Sequence, residues 1–314
     1  MKVFLAGATG AVGRTLIPLL ADHGHEVVGT TRTPGKTDLL RALGAEPVLL
    51  DGLDRDAVMR AVAEAKPDAI VHEMTALSGP FDLRRLDRTF AITNRLRTEG
   101  TDHLLEAAWE AGVERFVAQS YAGWPHARVG GPVKDEDDPL DDDPPKRLRT
   151  TLAAIRHLEE RVTARGGVVV RYGGFYGPGT GMAPGAEQWE QVRARRFPLV
   201  GDGGGLWSFA HIDDVAGGTL AALERSEPGR VYNVCDDEPA PVREWLPALS
   251  AAVGARPPRR LPRWVARLLG EHVVTMMCES RGASNARIRR ELGWEPRWPT
   301  WREGFRAVAA SGGG

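Results

Sequence analysis

The sequence predicts an α/β protein built on a doubly wound parallel sheet, with a smaller C-terminal lobe. Three observations support this prediction. Short, apolar, Val-rich segments alternate with amphipathic ones through the first two-thirds of the 314 residues. A glycine-rich turn follows the first apolar segment. From Pro239 onward the alternation stops, and short segments rich in Trp and Pro follow.

The apolar segments are short enough to be strands buried on both faces, as parallel strands covered by helices are. They span residues 2–6, 27–31, 47–50, 69–72, 115–119 and 168–171. The amphipathic segments predict helices, and several are followed by a glycine that can close a helix in a left-handed conformation. They span residues 11–22, 38–43, 54–65, 83–111 and 148–164, and a later strand at 231–234 can join the sheet edge. Repeated strand–helix units with right-handed crossovers give a doubly wound sheet.

Composition and charge argue against several classes of function. Hydrophobic residues make up 42% and charged residues 26% of the chain, as in ordinary globular proteins. The net charge of -1 gives no reason to expect nucleic acid or an anionic membrane as partner. We expect a cytoplasmic protein without a metal, because no leader is recognisable and Cys235 and Cys278 have no metal-binding spacing. The acidic, Pro-rich stretch at residues 132–146 predicts a solvated loop.

The glycine-rich turn lies between the first strand and the first helix. Glycines at this spacing allow a tight turn, close approach of the backbone to a pyrophosphate and close helix packing. The helix N-terminus then offers free N–H groups and the positive end of its dipole. We therefore expect a dinucleotide here. The residues expected to contact its phosphates are Gly7, Thr9, Gly10, Ala11, Val12 and Gly13.

The end of the second strand selects the cofactor. An acidic residue there would accept a hydrogen bond from the ribose 2′-hydroxyl of NAD, but residues 30–32 are Thr-Thr-Arg. Arg32 can pair with a 2′-phosphate through its planar guanidinium, so NADP is favoured over NAD. Asp51, after the third strand, is placed either to accept from the adenine amino group or to cap the next helix. Gly52 and His72 complete the predicted cofactor contacts.

Further motifs extend over nearly the whole chain: Gly100-Thr-x-x-Leu-Leu-Glu-Ala-Ala108, Arg171-Tyr-Gly-Gly-Phe-Tyr-Gly-Pro178, Phe209-Ala-His-Ile-Asp-Asp-Val215 and Glu291-Leu-Gly-Trp294. With the glycine turn, they resemble the extended short-chain dehydrogenase/reductase family, also called the NAD-dependent epimerase/dehydratase family. The resemblance implies a Rossmann-like dinucleotide-binding domain at residues 1–171, to which 205–235 return. It implies a substrate-binding lobe at 172–204 and 236–314, and a homodimer.

The chain departs from that family at its catalytic Tyr-x-x-x-Lys. None of the tyrosines is followed by Lys four residues later; they are Tyr121, Tyr172, Tyr176 and Tyr232. Glu159 matches the acidic residue that follows the family motif, which puts Thr151 at the Tyr position and Ile155 at the Lys position. A Thr hydroxyl has no accessible pKa and Ile has no charge, so oxidation of an alcohol by a phenolate is not expected.

Tyr121 and Ser120 are the candidate replacements. In the family, the fifth strand runs into a Ser or Thr that hydrogen-bonds the reacting oxygen. Alignment on Phe116 and Val117 puts Tyr121 at that position, or Ser120 if the register slips by one. A phenol without a lysine neighbour stays protonated at pH 7, which suits a proton donor to a carbonyl that receives hydride. The alternative is a packed aromatic bonded to backbone.

Trp207 stands where family members that act on nucleoside-diphosphate sugars have an arginine for the diphosphate. An indole offers one donor and a large apolar face, so a nucleotide sugar is not expected. A less charged small molecule against an aromatic wall is the alternative. The residues expected to contact it are Glu73, Met74, Trp124, Thr151, Tyr176 and Trp207.

Three functions stay open at this point. The first is an NADP-dependent reductase, or related epimerase or dehydratase, on a non-nucleotide, partly apolar small molecule, with a substituted catalytic acid. The second is a dinucleotide-binding sensor or interaction protein without turnover. The third is a non-redox lyase or cyclase on the same scaffold. The aromatic residues of the substrate lobe favour the first.

Overall fold

The computed structural model of the chain describes residues 1–77 and 86–311. Its helices are α1 (Ala11–Asp22), α2 (Thr37–Leu43), α3 (Arg55–Ala65), α4 (Leu86–Thr89), α5 (Ala91–Arg95), α6 (Thr101–Glu110), α7 (Arg149–Thr163), α8 (Glu187–Arg193), α9 (Ile212–Arg225), α10 (Val242–Ala252), α11 (Arg263–Leu269), α12 (Glu271–Val274), α13 (Ala286–Leu292) and α14 (Trp301–Ser311). Its strands are β1 (Lys2–Ala6), β2 (Glu26–Thr31), β3 (Ala45–Leu49), β4 (Ala69–His72), β5 (Arg115–Tyr121), β6 (Val133–Lys134), β7 (Val168–Tyr172), β8 (Gly174–Tyr176), β9 (Leu199–Val200), β10 (Leu206–Trp207), β11 (Phe209–His211), β12 (Val231–Val234), β13 (Ala240–Pro241), β14 (Arg260–Leu261) and β15 (Gly282–Ala283). Short 3₁₀ turns at Pro34–Lys36 and Lys146–Leu148 and π-helical turns at Leu96–Gly100 and Thr275–Glu279 adjoin the helices.

Seven strands form one sheet, in the order β3-β2-β1-β4-β5-β7-β12, and all pairs are parallel. The chain moves outward from β1 to β2 and β3 on one side, and from β4 to β12 on the other. The order therefore reverses between β1 and β4. Ligands of such sheets bind outside the carboxyl ends of the strands at this switch point. The doubly wound sheet predicted from the sequence is confirmed.

Each face of the sheet packs against its own layer of helices. On one face, Leu16 of α1 and Val215 of α9 belong to a fully buried core. On the other, Val62 of α3, Leu104 of α6 and Leu158 of α7 belong to a second one. Burial of each such side chain contributes roughly 1.5–3 kcal/mol to the stability of the folded protein. It also holds the helices against the sheet, with their ends beside its carboxyl edge.

A third core lies in the C-terminal part of the chain and is rich in aromatic residues. Trp245 is buried there with its ring centroid 5.2 Å from that of Phe209 and 4.9 Å from that of Trp207. Trp301 of α14 is also fully buried. The division into two lobes at the residues expected from the sequence stays a prediction. In the described ranges, no helix combines the length and the apolar character needed to cross a membrane.

The structure corrects three elements. The predicted helix at 83–111 is divided into α4, α5, the π-helical turn and α6, and its residues 83–85 lie outside the described residues. The strand predicted at 47–50 begins earlier, because Gly44 closes α2 with a φ of 99° and the chain enters β3 at once. The third correction concerns residues 132–146.

The stretch at residues 132–146 is not wholly solvated. Lys134 and Glu136 are 2% and 7% exposed. The Lys134 ammonium donates to the Val129 carbonyl at 2.7 Å and to Asp138 at 2.9 Å, and Glu136 accepts from the amide of Asn233 at 2.8 Å. Buried charges need such partners, so this stretch packs against the edge strand β12.

We expect Leu16→Ala to lower the free energy of unfolding by about 2–5 kcal/mol, because it leaves a cavity between α1 and the sheet. Leu16 is 0% exposed, whereas Leu268 is 80% exposed and serves as the matched control. Urea unfolding of both variants measures the difference. Equal effects of Leu16→Ala and Leu268→Ala would contradict the assigned core.

Candidate functional site

The β1–α1 turn lies directly against the carboxyl end of β4. Gly7 has a φ of 93°, and a Cβ there would lie 2.6 Å from the backbone carbonyl of Glu73. A Cβ on Gly13 would lie 2.5 Å from the carbonyl oxygen of Ala8. Only glycine fits both places without moving backbone atoms. The turn therefore brings the N-terminus of α1 to the switch point of the sheet.

The first turn of α1 is open to an anion. Gly10 precedes the helix in an extended conformation, and no described side chain caps it. The first-turn N–H groups have no intrahelical acceptor, as at any helix start, and they carry the positive end of the dipole. Arg14 adds a cation beside them, with its Nη2 donating to the carbonyl of Gly179 at 3.3 Å. This set fits a pyrophosphate.

The end of β2 has no carboxylate. The Thr30 hydroxyl accepts from the amide of Gly7 at 3.0 Å, and the Thr31 hydroxyl accepts from the amide of Thr33 at 3.2 Å. The first bond ties the end of β2 to the β1–α1 turn, and the second shapes the turn that follows β2. Arg32 is exposed and makes no hydrogen bond or ion pair within the described part of the chain. Its guanidinium is available to a 2′-phosphate.

Asp51 and Gly52 follow β3. Asp51 is exposed, and its Oδ1 accepts from the amide of Leu53 at 3.0 Å. The side chain of Asp54 caps α3, so Asp51 is not the helix cap. Gly52 is buried, and a Cβ there would collide with the thioether of Met74. The backbone at Gly52 therefore packs closely on the segment that follows β4.

His72, at the end of β4, is committed to the core. Its side chain is 0% exposed, its Nδ1 accepts from the amide of Met74 at 3.2 Å, and its Nε2 lies 3.1 Å from the hydroxyl oxygen of Thr101. This network puts the proton on Nε2, which donates to Thr101. Burial lowers the pKa of His72 to about 4, so the ring is neutral at pH 7. Only its backbone is left for a cofactor contact.

Glu73 points to the opposite face of the sheet. It is 5% exposed, and its Oε1 accepts from the Tyr172 hydroxyl at 2.7 Å. That hydroxyl lies 2.7 Å from Thr219, which donates to the Val215 carbonyl at 2.7 Å. Burial raises the pKa of Glu73 to about 8, so its carboxyl is mostly protonated at pH 7. The structure thus places Glu73 in the core, away from the substrate wall expected from the sequence.

Ser120 and Tyr121, at the end of β5, face opposite sides of the sheet. Ser120 is buried and donates to Glu159 at 2.7 Å. Glu159 also receives two bonds from Arg171, of 2.8 and 2.7 Å, in a buried ion pair. Ser120 is therefore occupied in satisfying this pair, which needs its hydrogen bonds to be tolerated in the core. Tyr121 is the one of the two that faces a cleft.

The cleft beside Tyr121 is narrow and partly open to solvent: about 240 Å³ is free of protein atoms, of which about 10 Å³ is wide enough for a water molecule. The Tyr121 and Trp124 ring centroids lie 6.4 Å apart, and the Trp207 indole donates to the carbonyl of Met276 at 2.8 Å. Burial raises the pKa of Tyr121 to about 12, so the phenol is a donor at pH 7. The lining residues are Tyr121, Ala122, Gly123, Trp124, Leu206, Trp207, Ser208, Met276 and Ser280.

The cleft gathers Tyr121, Trp124 and Trp207, but other residues expected in it lie elsewhere. Met74 is buried under Gly52, and Thr151 is buried and accepts from the amide nitrogen of Asn94 at 3.1 Å. Tyr176 is fully buried in the C-terminal core, with its ring centroid 5.1 Å from that of Phe305. Fully buried side chains have no free surface for a substrate.

Two sets of residues escaped the sequence analysis. Met276 of the π-helical turn Thr275–Glu279 and Ser280, which follows it, join the cleft, and no local motif marks them. Arg97 and Asn94 lie at the carboxyl edge on the face of α7. No signal in the sequence separates Arg97 from the other charged residues of the amphipathic segment 83–111.

The profile of the NAD dependent epimerase/dehydratase family matches residues 3–235. A 3-diazoavenalumate denitrifying reductase of Streptomyces sp. is 45% identical over 97% of this chain and 99% of its own length. A 4-hydroxy-2-methyl-3-oxo-4-farnesyl-3,4-dihydroquinoline-1-oxide ketoreductase of Stigmatella aurantiaca is 30% identical over 82% of this chain and 74% of its own.

Among solved structures, the UDP-glucose 4-epimerase of Thermotoga maritima with UDP-glucose has a TM-score of 0.78. It is 19% identical, with 99% of this chain and 98% of that chain covered. This likeness supports the Rossmann-like fold alone. The named relatives are reductases and epimerases, so the chain groups with oxidoreductase- and epimerase-type enzymes.

We expect the stability of Glu73→Gln, relative to the native protein, to rise with pH. The folded-state pKa of Glu73 lies above its usual value, so native stability is lost between pH 5 and 8, as the unfolded chain ionises there first. The Gln variant lacks this loss, and the difference between the two proteins should change by roughly 2–4 kcal/mol over that range. Urea unfolding at pH 5, 6, 7 and 8 measures it, and parallel profiles would refute the buried, protonated carboxyl.

Proposed function

The chain belongs to the NAD-dependent epimerase/dehydratase family, and from that premise we propose that it is an NADP-dependent reductase of a partly apolar, non-nucleotide small molecule. The observation that carries the proposal is the cleft in which Tyr121, Trp124 and Trp207 meet at the carboxyl edge of the sheet. The cleft combines one phenol donor with two indole rings and offers no charged side chain among its lining residues.

The residues of the β1–α1 turn fit a phosphorylated dinucleotide. The open first turn of α1 suits the pyrophosphate, and Arg32 suits the 2′-phosphate because its guanidinium has no partner in the described residues. Asp51 is exposed beside them, where its free carboxylate oxygen can accept from the adenine amino group. When bound, the reduced nicotinamide supplies a hydride.

In this proposal Tyr121 is the proton donor. As a carbonyl carbon accepts hydride, its C=O π bond breaks and the developing oxyanion takes the phenolic proton. The phenolate then recovers a proton from water, since burial raises the pKa of Tyr121 to about 12. The net change is a two-electron reduction of carbonyl to alcohol. The reverse reaction would need a base at this position, and Tyr121 is protonated at neutral pH.

The cleft favours an aromatic or alkyl substrate over a nucleotide sugar. Trp207 has its indole N–H bonded to Met276, so it presents only an apolar ring to the cleft. A diphosphate there would lose its hydration without a cation to pair with. The two named relatives of highest identity given above act on molecules other than nucleotide sugars by their names, which agrees with this reading.

A second candidate is the reductive removal of nitrogen from an aromatic diazo compound, and it rests on the 45% identical denitrifying reductase. In such a step a C–H bond forms from hydride while the C–N bond breaks, and N₂ leaves with the bonding pair. Two electrons pass to the ring carbon and no proton donor is needed. This candidate is compatible with the loss of the family's Tyr-x-x-x-Lys.

Cofactor choice is tested at Arg32. We expect Arg32→Ser to weaken NADPH binding at least about tenfold and to leave NADH binding unchanged, because only NADPH carries the 2′-phosphate. Titration of protein fluorescence with each dinucleotide measures this. Arg41→Ser removes another exposed arginine, one that is paired with Asp38, and serves as control. Equal loss for both dinucleotides, or none for either, would refute the role of Arg32.

The reaction is tested with stereospecifically deuterated NADPH and a panel of aromatic and alkyl ketones and aromatic diazo acids. We expect deuterium in a product, and we expect Tyr121→Phe to slow ketone reduction by about 100-fold or more, because it removes the acid. Tyr232→Phe, which removes a phenol on β12 bonded to Ser226 and Glu291, is the matched control.

The outcomes separate the candidates. Label transfer to a ketone that depends on Tyr121 supports the carbonyl reductase. Label transfer to a denitrified ring that is unaffected by Tyr121→Phe favours the second candidate. Tight NADPH binding without any transfer would instead support a binding protein, and product formation without cofactor would support a lyase or cyclase.

A further inference from the structure

Arg97 is a buried cation for which the described residues supply no hydrogen-bond partner. It lies on the π-helical turn between α5 and α6 and is 7% exposed. Its Nε and Nη1 are enclosed, and neither has an acceptor within residues 1–77 and 86–311. Arginine is almost never buried unless it is paired, because the desolvated charge is costly. An unpaired one at the edge of a binding site points to a ligand or a charge-dependent task.

Neighbouring contacts place Arg97 at the carboxyl edge of the sheet. On the same helical segment, Asn94 donates to Thr151 of α7, and Thr101 accepts from His72 at the end of β4. Arg97 lies between these two contacts along the segment. Burial is the main cause of the lowered pKa of His72, and the charge of Arg97 is a smaller one, as expected for a cation near the end of β4.

No carboxylate in the described residues neutralises Arg97 directly. Glu159 raises the pKa of Arg97 through space, but both of its oxygens are bonded to Arg171 and one also to Ser120. Burial lowers the pKa of Arg97 to about 10, so it stays charged at pH 7. Ile155 of α7, at the position of the family's lysine, is buried and apolar. Arg97 therefore brings a positive charge to the α7 side of the sheet, where the position of the family's lysine carries none.

The dinucleotide of the proposed function extends from the first turn of α1 across the switch point. Its adenosine half lies toward Arg32 at the end of β2, so its nicotinamide half lies toward β4 and β5. That is the side on which Arg97 is buried. The oxidised nicotinamide ring carries one positive charge, and the reduced ring carries none. A fixed cation in a low-dielectric layer disfavours the oxidised ring more than the reduced one.

We propose that Arg97 makes the site prefer the reduced cofactor over the oxidised one and thereby biases the enzyme toward reduction. The inference rests on the proposed function, because it requires that a nicotinamide dinucleotide bind here. Through this preference, Arg97 in the segment between α5 and α6 favours the reductive direction of the reaction. Arg97 acts on the nicotinamide ring through the electric field of its charge. It neither contacts the reacting atoms nor donates a proton to them.

The test compares dissociation constants for NADPH, NADP⁺ and adenosine 2′,5′-bisphosphate in the native protein and in Arg97→Met and Arg97→Lys. We expect NADPH to bind more tightly than NADP⁺ in the native protein. In Arg97→Met this ratio should shrink by about tenfold, mainly through tighter NADP⁺ binding, as expected for removal of one nearby charge. Arg97→Lys should keep the ratio. The bisphosphate lacks the nicotinamide half, so its affinity should be equal in all three proteins.

Arg95→Met is the matched control, because Arg95 is exposed and paired with Glu99. It should leave the ratio unchanged. An unaltered ratio in Arg97→Met, with the bisphosphate still bound, overturns the inference and leaves the proposed function standing. Absence of binding of all three ligands to the native protein overturns the proposed function, and the inference with it. If Arg97→Met does not fold, Arg97→Gln against Arg97→Lys decides: the same ratio in both overturns the role of charge.

Discussion

The close approach of the β1–α1 turn to the end of β4 governs the rest of the structure. A side chain on Gly7 would overlap the backbone of Glu73, so the turn and β4 meet only because glycine is there. The contact sets the start of α1 over the switch point. From the same end of β4, His72 reaches α6 on one face and Glu73 reaches Tyr172 and α9 on the other. One contact thus joins the β1–α1 turn to both layers of helices.

The carboxyl edge carries many polar groups, yet most of them maintain the fold. His72 bonds Thr101, Ser120 bonds Glu159, and Thr151 bonds Asn94, all in buried surroundings. Each of these groups would cost free energy if its partner were lost, since an unpaired buried polar group loses its hydration without compensation. Among the described residues, the groups left for a ligand include the open turn of α1, the exposed Arg32, the phenol of Tyr121 and the charge of Arg97.

The sheet was predictable from sequence because its strands are buried on both faces and are therefore continuously apolar. Alignment with the family indicated Tyr121, with Ser120 as the alternative; the alternation of β5 decides which of the two side chains lines the cleft, because it sends Ser120 to the opposite face. The burial of Lys134 and Glu136 was not predictable, since their partners Val129, Asp138 and Asn233 depend on tertiary packing. For the same reason Tyr176 was placed in the cleft, although its ring fills the C-terminal core. Local sequence shows the periodicity from which strands and helices are predicted. The partners of buried polar side chains are distant in sequence, so they are known only from the fold.

In the proposed function, Tyr121 and Arg97 lie on opposite faces of the sheet and both favour reduction of the substrate over oxidation. Tyr121 has a pKa raised to about 12 by burial, so it can give a proton to a developing oxyanion but holds that proton too firmly to act as a base at neutral pH. Arg97, on our proposal, disfavours a cationic nicotinamide. A dehydrogenase that works on alcohols needs the reverse of both: a group that accepts a proton and a site that tolerates the oxidised ring. With Thr151 and Ile155 predicted at the positions of the family's tyrosine and lysine, neither requirement is met on α7, and in the proposed function the site is left with hydride delivery to an electrophilic acceptor.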